Sequence, residues 1–307
     1  MQKKKQDENF DVVFAEQKSL SMFAEEILLL SQSLTIYLSF LILFAGFIGH
    51  MIDILVFTNS KLFLKSQSVF YLTTESIVNS IHLLISFSSR IAINGFQNDL
   101  TRTSLIWCKF RSVITTSLTI LSLSIVCFAA LDQYLSTSYN PYIKQMSTLK
   151  LAHHLTFIAI VVCILHGIPF FILMKIESTQ GCSPYNDGLS NYIIYVYYVI
   201  LTGLLPIAIS SIFATLAYLN VRRIVQSRIL IVRRRLEKQL TAMILIRVAF
   251  LVVITFPYVI FRIYTLKVCV NPDNLMRKAI MQLISSITYT LFYLNYAVCN
   301  RSMIFFR

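Results

Sequence analysis

The 307-residue chain is 56% hydrophobic and 13% charged, has only seven glycines and shows a mean hydropathy of +0.69. That composition excludes an ordinary soluble globular protein and points to a polytopic membrane protein. The net charge of +13 would suggest a nucleic-acid partner in a soluble chain, but the basic residues lie between apolar stretches, where the lipid bilayer is the simpler partner, so no nucleic acid is expected. Six scattered cysteines, without a Cys-x-x-Cys or His-x-x-x-His pair, allow one structural bridge at most and give no reason to expect a metal or a cofactor.

The N-terminal segment, 1–29, mixes Lys3, Lys4, Lys5 and Lys18 with Asp7, Glu8, Asp11, Glu16, Glu25 and Glu26. No cleavable signal peptide is visible there, so the first membrane helix is expected to act as its own targeting signal. Seven apolar stretches follow, at about 30–57, 68–89, 105–131, 152–174, 190–219, 240–266 and 279–299, each long enough to span a bilayer as a helix. The expected fold is all-α: a seven-transmembrane helix bundle over 30–299, with a short cytoplasmic end at 300–307.

Basic residues mark the cytoplasmic side. Arg222, Arg223, Arg228, Arg233, Arg234, Arg235 and Lys238 fall between stretches five and six, with Lys61 and Lys65 after the first and Lys144 and Lys150 after the third. This places the N-terminus outside and the C-terminus inside. The loops are too short to hold a soluble domain, and no internal repeat is visible, which favours a single bundle over a duplicated carrier.

The third stretch runs from Trp107-Cys108-Lys109 to Asp132-Gln133-Tyr134. The separation of Cys108 from Asp132 is roughly 36 Å of helix, enough to put a cysteine at one membrane face and the triplet at the other. In the first stretch, His50 and Asp53 are ionisable and must be paired, face a wet interior or sit near an interface. In the second, Glu75 precedes Asn79 by one helical turn on the same face. His50, Glu75 and Asn79 are expected to form an interior polar network, or simply hydrogen bonds that hold helices together. Pro169, Pro206 and Pro257 fall within stretches four, five and six, where each frees a backbone carbonyl and leaves a kink.

Taken together, the seven stretches, Trp107-Cys108, Asp132-x-Tyr134, Cys182 and the three helix prolines resemble the rhodopsin-like G-protein-coupled receptors, in particular divergent invertebrate members, over about 34–307. The resemblance implies a plasma-membrane receptor that binds an extracellular ligand and signals through a heterotrimeric G protein. It implies a disulfide between Cys108 and Cys182, closing the second outer loop over the bundle mouth. The family's triplet is usually Asp-Arg-Tyr; here Gln133 replaces the arginine, and Glu237, twenty residues before Pro257, stands at its acidic partner's position. A glutamine brings no charge, so the implied resting lock is weaker. Pro257 remains as the implied hinge, although Ile254-Thr255-Phe256 replaces the aromatic toggle. Asn79 stands where the family's sodium-holding aspartate would, so sodium is expected to bind weakly or not at all. Asn295 aligns with the family's Asn-Pro-x-x-Tyr, or that register is shifted by four residues.

Single residues narrow the ligand that the resemblance implies. Amine receptors carry an aspartate seven residues after the outer cysteine, where this chain has Thr115, and opsins need a lysine that does not occur between Ala279 and Arg307. The candidate ligand-binding residues are Arg111, Thr115, Thr116, Thr119, Tyr195, Tyr198, Tyr258, Phe261 and Arg262. Arg262, about one turn beyond Pro257, is expected to meet a ligand carboxylate or an amidated peptide end, or else to snorkel to the headgroups. The ligand is thus a small molecule or a peptide. The other readings are a transporter or channel lined by Asp53, Glu75, Asn79 and His82, and a receptor-like protein that does not couple. An enzyme is not expected, because no catalytic constellation is present.

Overall fold

The computed structural model describes residues 2–59, 66–177, 181–224, 231–267 and 275–298, with side chains over 18–59, 66–177, 181–223, 241–265 and 275–298. It is a helical bundle. Six of its helices are long and apolar enough to cross a membrane: α1 (Gln2–Asn59), α2 (Gln67–Asn94), α3 (Leu105–Thr137), α4 (Leu149–Leu173), α5 (Asp187–Arg223) and α6 (Ile231–Lys267). A further helix, α7 (Leu275–Ala297), completes the bundle, but Gln282, Ser285, Ser286, Thr288, Thr290 and Asn295 dilute it and it is not among the six. The polytopic, helical expectation therefore stands, with six apolar spans. The helix of the first span does not begin at 30 but runs unbroken from Gln2.

Helix α3 is the axle. Most of its apolar stretch is buried, whereas most of the corresponding stretches in α4 and α5 faces outward. Leu123, Ile125, Val126, Ala129 and Ala130 of α3 pack against Ala152, Ala159 and Cys163 of α4, Ala214 of α5, and Ile244, Val248 and Leu251 of α6. Small side chains let the helices approach closely, which matters in lipid because no hydrophobic force drives helices together there and close packing has to hold them. A Cβ on Gly167 would lie 2.8 Å from Val113 Cγ1, and one on Gly46 would lie 2.6 Å from Ala297 Cβ, so neither position has room for a side chain. The outer surface is apolar, with Leu38, Leu41 and Phe44 of α1 and Phe157, Val162, Ile164 and Leu165 of α4 exposed. So large an apolar belt suits lipid and not water.

Polar side chains join α7 to α1. Ser31 and Ser286 share a hydrogen bond of 2.9 Å, Thr35 Oγ1 donates to Ser286 Oγ at 2.8 Å, and His50 Nε2 donates to the carbonyl of Tyr296 at 2.7 Å. Ser104 caps α3 by accepting from the Trp107 backbone N–H, and Thr148 caps α4 by accepting from that of Leu151, which satisfies donors that a helix start leaves free.

Two features lie outside the expected all-α pattern. Between α4 and α5 the chain forms an antiparallel pair of strands, β1 (Met174–Glu177) and β2 (Gly181–Pro184), with Ile176 opposite Cys182. Gly181 opens β2 at a φ of 74°, a conformation that favours glycine. The Cys108–Cys182 disulfide ties this hairpin to the start of α3, so the expected bridge is present. Two helices also depart from α geometry: Leu83–Phe87 within α2 and Tyr192–Leu204 within α5 are π-helical.

Candidate functional site

Beneath the disulfide-tied hairpin lies a cavity of about 430 Å³. Helix α3 brings Arg111, Thr115, Thr116 and Thr119 to it, α2 brings Arg90, and the hairpin adds Cys182 and Ser183. Tyr197 and Tyr198 enter from the π-helical part of α5, Tyr258 and Arg262 from α6, and Tyr289, Phe292 and Tyr293 from α7. Arg262 is held by a tyrosine: its Nε and Nη2 donate to Tyr198 Oη at 3.0 and 2.8 Å, and its guanidinium carbon lies 5.0 Å from the centre of that ring and 5.6 Å from that of Tyr289. Arg90 stacks on the Tyr289 ring at 3.5 Å. Tyr258 and Phe292 stack at 3.8 Å to form an aromatic wall.

The hydroxyls around the cavity are already committed. Thr115 Oγ1 donates to Ser86 Oγ at 3.0 Å, Thr116 Oγ1 to the Ser112 carbonyl at 2.8 Å and Thr119 Oγ1 to the Thr115 carbonyl at 2.7 Å. Arg90 and Arg111 each keep one donor unused: their Nε atoms are buried without a hydrogen-bond acceptor.

Deeper in the bundle is a second polar cluster, built on Arg247 of α6. Its Nε and Nη2 both lie 2.7 Å from Glu75 Oε1, and its Nη1 donates to Asn295 Oδ1 at 2.7 Å and also to the Asn295 carbonyl. Asn79 Nδ2 approaches Glu75 Oε1 at 3.5 Å, while Asn79 Oδ1 accepts from Ser122 at 2.7 Å. Helices α2, α3, α6 and α7 therefore meet in one hydrogen-bonded knot. Arg247 and Glu75 are 4% and 3% exposed, a depth at which either charge alone would be costly.

At the end of α3 away from the disulfide, Asp132 accepts from Ser68 of α2 at 2.9 Å and from Ser147 at 2.6 Å. Gln133 bridges three helices: its Oε1 accepts from Ser68 at 3.2 Å, and its Nε2 donates to Thr241 Oγ1 of α6 at 2.7 Å. Tyr134 packs against Phe213 of α5, with ring centres 5.6 Å apart.

No protein-family model matches the chain, and no curated protein aligns significantly with it.

Seven of the nine candidate ligand-binding residues line the cavity: Arg111, Thr115, Thr116, Thr119, Tyr198, Tyr258 and Arg262. Tyr195 and Phe261 do not. Tyr195 is 50% exposed on the outside of α5, because the wider π-helical turn brings Tyr197 and Tyr198 inward and turns Tyr195 away. Phe261, neighbour to Arg262, is buried on another face of α6 beside Tyr264 and Ile280. Among the cavity residues outside the sequence expectation are Arg90, Tyr197, Tyr289, Phe292 and Tyr293. Arg90 lies just past the expected end of the second stretch at 89, whereas α2 continues to Asn94.

His50, Glu75 and Asn79 are all buried, and Asn79 meets Glu75, but His50 bonds to α7 instead. The residue that organises the cluster, Arg247, carried a visible signal as an arginine inside a spanning stretch. Asp53 is also buried. His82 is fully buried and packed beside Tyr293 and Tyr296. Pro257 lies inside α6 and Asn295 inside the knot. The side chain of Glu237 lies outside the described residues; Thr241, one turn further along α6, is the partner of Gln133 within them.

Proposed function

We propose that this protein is a seven-helix receptor of the rhodopsin-like type, with α7 as the seventh span. In this reading it sits in the plasma membrane with its N-terminus outside, takes a ligand under the disulfide-tied hairpin, and signals to a heterotrimeric G protein at the end marked by Asp132-Gln133-Tyr134. The ligand carries a carboxylate, or ends in an amidated peptide group, that meets Arg262.

The observation that carries this reading is the itinerary of α6. Arg262 lines the cavity, Pro257 lies one turn below it, Arg247 joins the interior knot, and Thr241 meets Gln133 at the far end. One helix thus touches the cavity, the knot and the triplet, so a ligand that pulls on Arg262 favours a different packing of α6 below the proline. The polar residues that a carrier would use argue against an open path, since Glu75 and Asn79 are engaged in the knot and His82 is packed among tyrosines.

The test is a screen of carboxylate-bearing compounds and amidated peptides in cells that co-express promiscuous G proteins, with the natural chain beside Gln133→Arg. Ligand-dependent nucleotide exchange in both supports the reading. A response in the arginine form alone marks the natural chain as a receptor-like protein that does not couple, and solute flux in vesicles without nucleotide exchange overturns the reading in favour of a carrier.

A further inference from the structure

Three guanidinium groups, from Arg90, Arg111 and Arg262, reach one cavity from three different helices. Among the described residues the acidic side chain lining it is Asp99, and that carboxylate is already taken by the Thr101 backbone N–H at 3.0 Å and by Arg102 at 3.4 Å. Elsewhere in the same bundle the buried Arg247 has its own carboxylate in Glu75. The cavity arginines have aromatic rings and the phenol oxygens of Tyr198 and Tyr289 instead, and two of their Nε atoms are buried with no acceptor. Buried donors without acceptors, and buried charges without counter-charges, are expensive to keep. An anionic ligand removes both deficits at once.

One carboxylate satisfies one guanidinium fork, which leaves two charges unmatched. Arg90 and Arg262 both lie against the Tyr289 ring, at 3.5 and 5.6 Å from its centre, so their guanidinium carbons are no further apart than the sum of those two distances, within the span of one small doubly charged molecule. The cavity volume of about 430 Å³ suits a small molecule and not an extended peptide. The threonine hydroxyls around it donate internally, so they offer little to a sugar, whereas the Tyr258–Phe292 stack offers a flat apolar face.

We infer that the cavity recognises a small dianion with an aromatic or apolar body, its doubly charged end, a phosphate monoester or a pair of neighbouring carboxylates, gripped by Arg90, Arg111 and Arg262. This rests on the receptor reading only for the consequence of binding; the binding itself is separable. It narrows the expected ligand from any carboxylate to one with two negative charges, and adds Arg90 to the residues that select it.

The experiment uses the full chain, purified into lipid nanodiscs, and four probes: phenyl phosphate, phenyl sulfate, phthalate and benzoate. Phenyl sulfate keeps the tetrahedral shape of the phosphate but carries one charge, and benzoate does the same for phthalate. The expected result is saturable binding of at least one dianion, about tenfold or more tighter than its singly charged counterpart. Which dianion binds distinguishes phosphate from dicarboxylate. Arg90→Gln should reduce that preference by about tenfold, while Lys109→Gln, a basic residue near the same end of α3 that packs on Phe171 and does not line the cavity, should leave it in place. Equal binding of the dianion and monoanion of each pair, or no saturable binding of either dianion to the unmodified chain, overturns the inference without reliance on any variant. Nucleotide exchange, measured separately, decides the receptor reading: binding without exchange would sink that reading and leave the anion site standing.

Discussion

Arg247 and Glu75, 172 positions apart in sequence, form a buried ion pair in which Nε and Nη2 both contact a single carboxylate oxygen at 2.7 Å. The pair joins α6 to α2, and the remaining arm of the guanidinium joins both to Asn295 of α7. Because α6 also carries Arg262 and Thr241, movement of its lower half must break or carry this pair. Neutralising either partner alone strands a buried charge, so Arg247→Met or Glu75→Leu should destabilise the protein by about 3–5 kcal/mol. Replacing both together removes the stranded charge and should recover most of that loss. Thermal unfolding of the purified variants checks this; a double variant as unstable as the worse single one would show that the ion pair is not what these side chains contribute.

Gln133 and Thr241 form the corresponding link at the far end, a neutral bond of 2.7 Å between α3 and α6. One such bond contributes about 1 kcal/mol, roughly fivefold in the balance between two packings of α6. In the proposed receptor, Thr241→Val should therefore raise basal nucleotide exchange by about that factor, and Thr241→Ser, which keeps the hydroxyl, should not. Equal basal exchange in Thr241→Val and the parent chain would remove this bond from any resting lock.

The disulfide encloses 74 positions of sequence and fixes the hairpin that roofs the cavity. Loop-closure entropy for a ring of that size corresponds to about 4 kcal/mol. Cys182→Ser should lower stability by something near that amount and weaken dianion binding, because Cys182 and Ser183 line the cavity. Binding and unfolding measured with and without reductant test both effects on the unmodified chain; unchanged probe affinity after full reduction would separate the hairpin from the site.

These particulars show which parts of the molecule can be read from its residues. The spans were legible because a bilayer demands long apolar helices, and the Cys108–Cys182 bridge because the resemblance placed both cysteines at one mouth of the bundle. Seven residues of the cavity followed from their place on the outer half of α3, α5 and α6. Tyr195 did not, since an i→i+5 segment is set by packing around α5 and leaves no mark on local sequence. The Arg247–Glu75 pair was half legible: each residue is conspicuous inside an apolar stretch, but their meeting depends on how α2 and α6 cross. Arg90 was hidden by a span limit placed a few residues short. The seventh stretch, read from the sequence as a span, is a helix but is not among the six apolar enough to cross a membrane, because its polar side chains serve α1 and the knot.

Tyr198 fixes the orientation of Arg262 through two hydrogen bonds to one oxygen, with the guanidinium carbon 5.0 Å from the ring centre. Tyr198→Phe keeps the ring and its attraction for the cation but removes the acceptor. A hydrogen bond to a charged group contributes about 1.5–3 kcal/mol, so the free protein should lose about that much stability. The ligand should feel the opposite. An Arg262 released from its tyrosine has two more donors to offer an anion, so phenyl phosphate or phthalate should bind Tyr198→Phe at least as tightly as the parent, while Arg262→Gln loses about tenfold. Titration of the two variants in nanodiscs checks the contrast. Equal loss in both would mean that Tyr198 positions Arg262 for the ligand, and that the tyrosine hydroxyl does not compete with the anion for it.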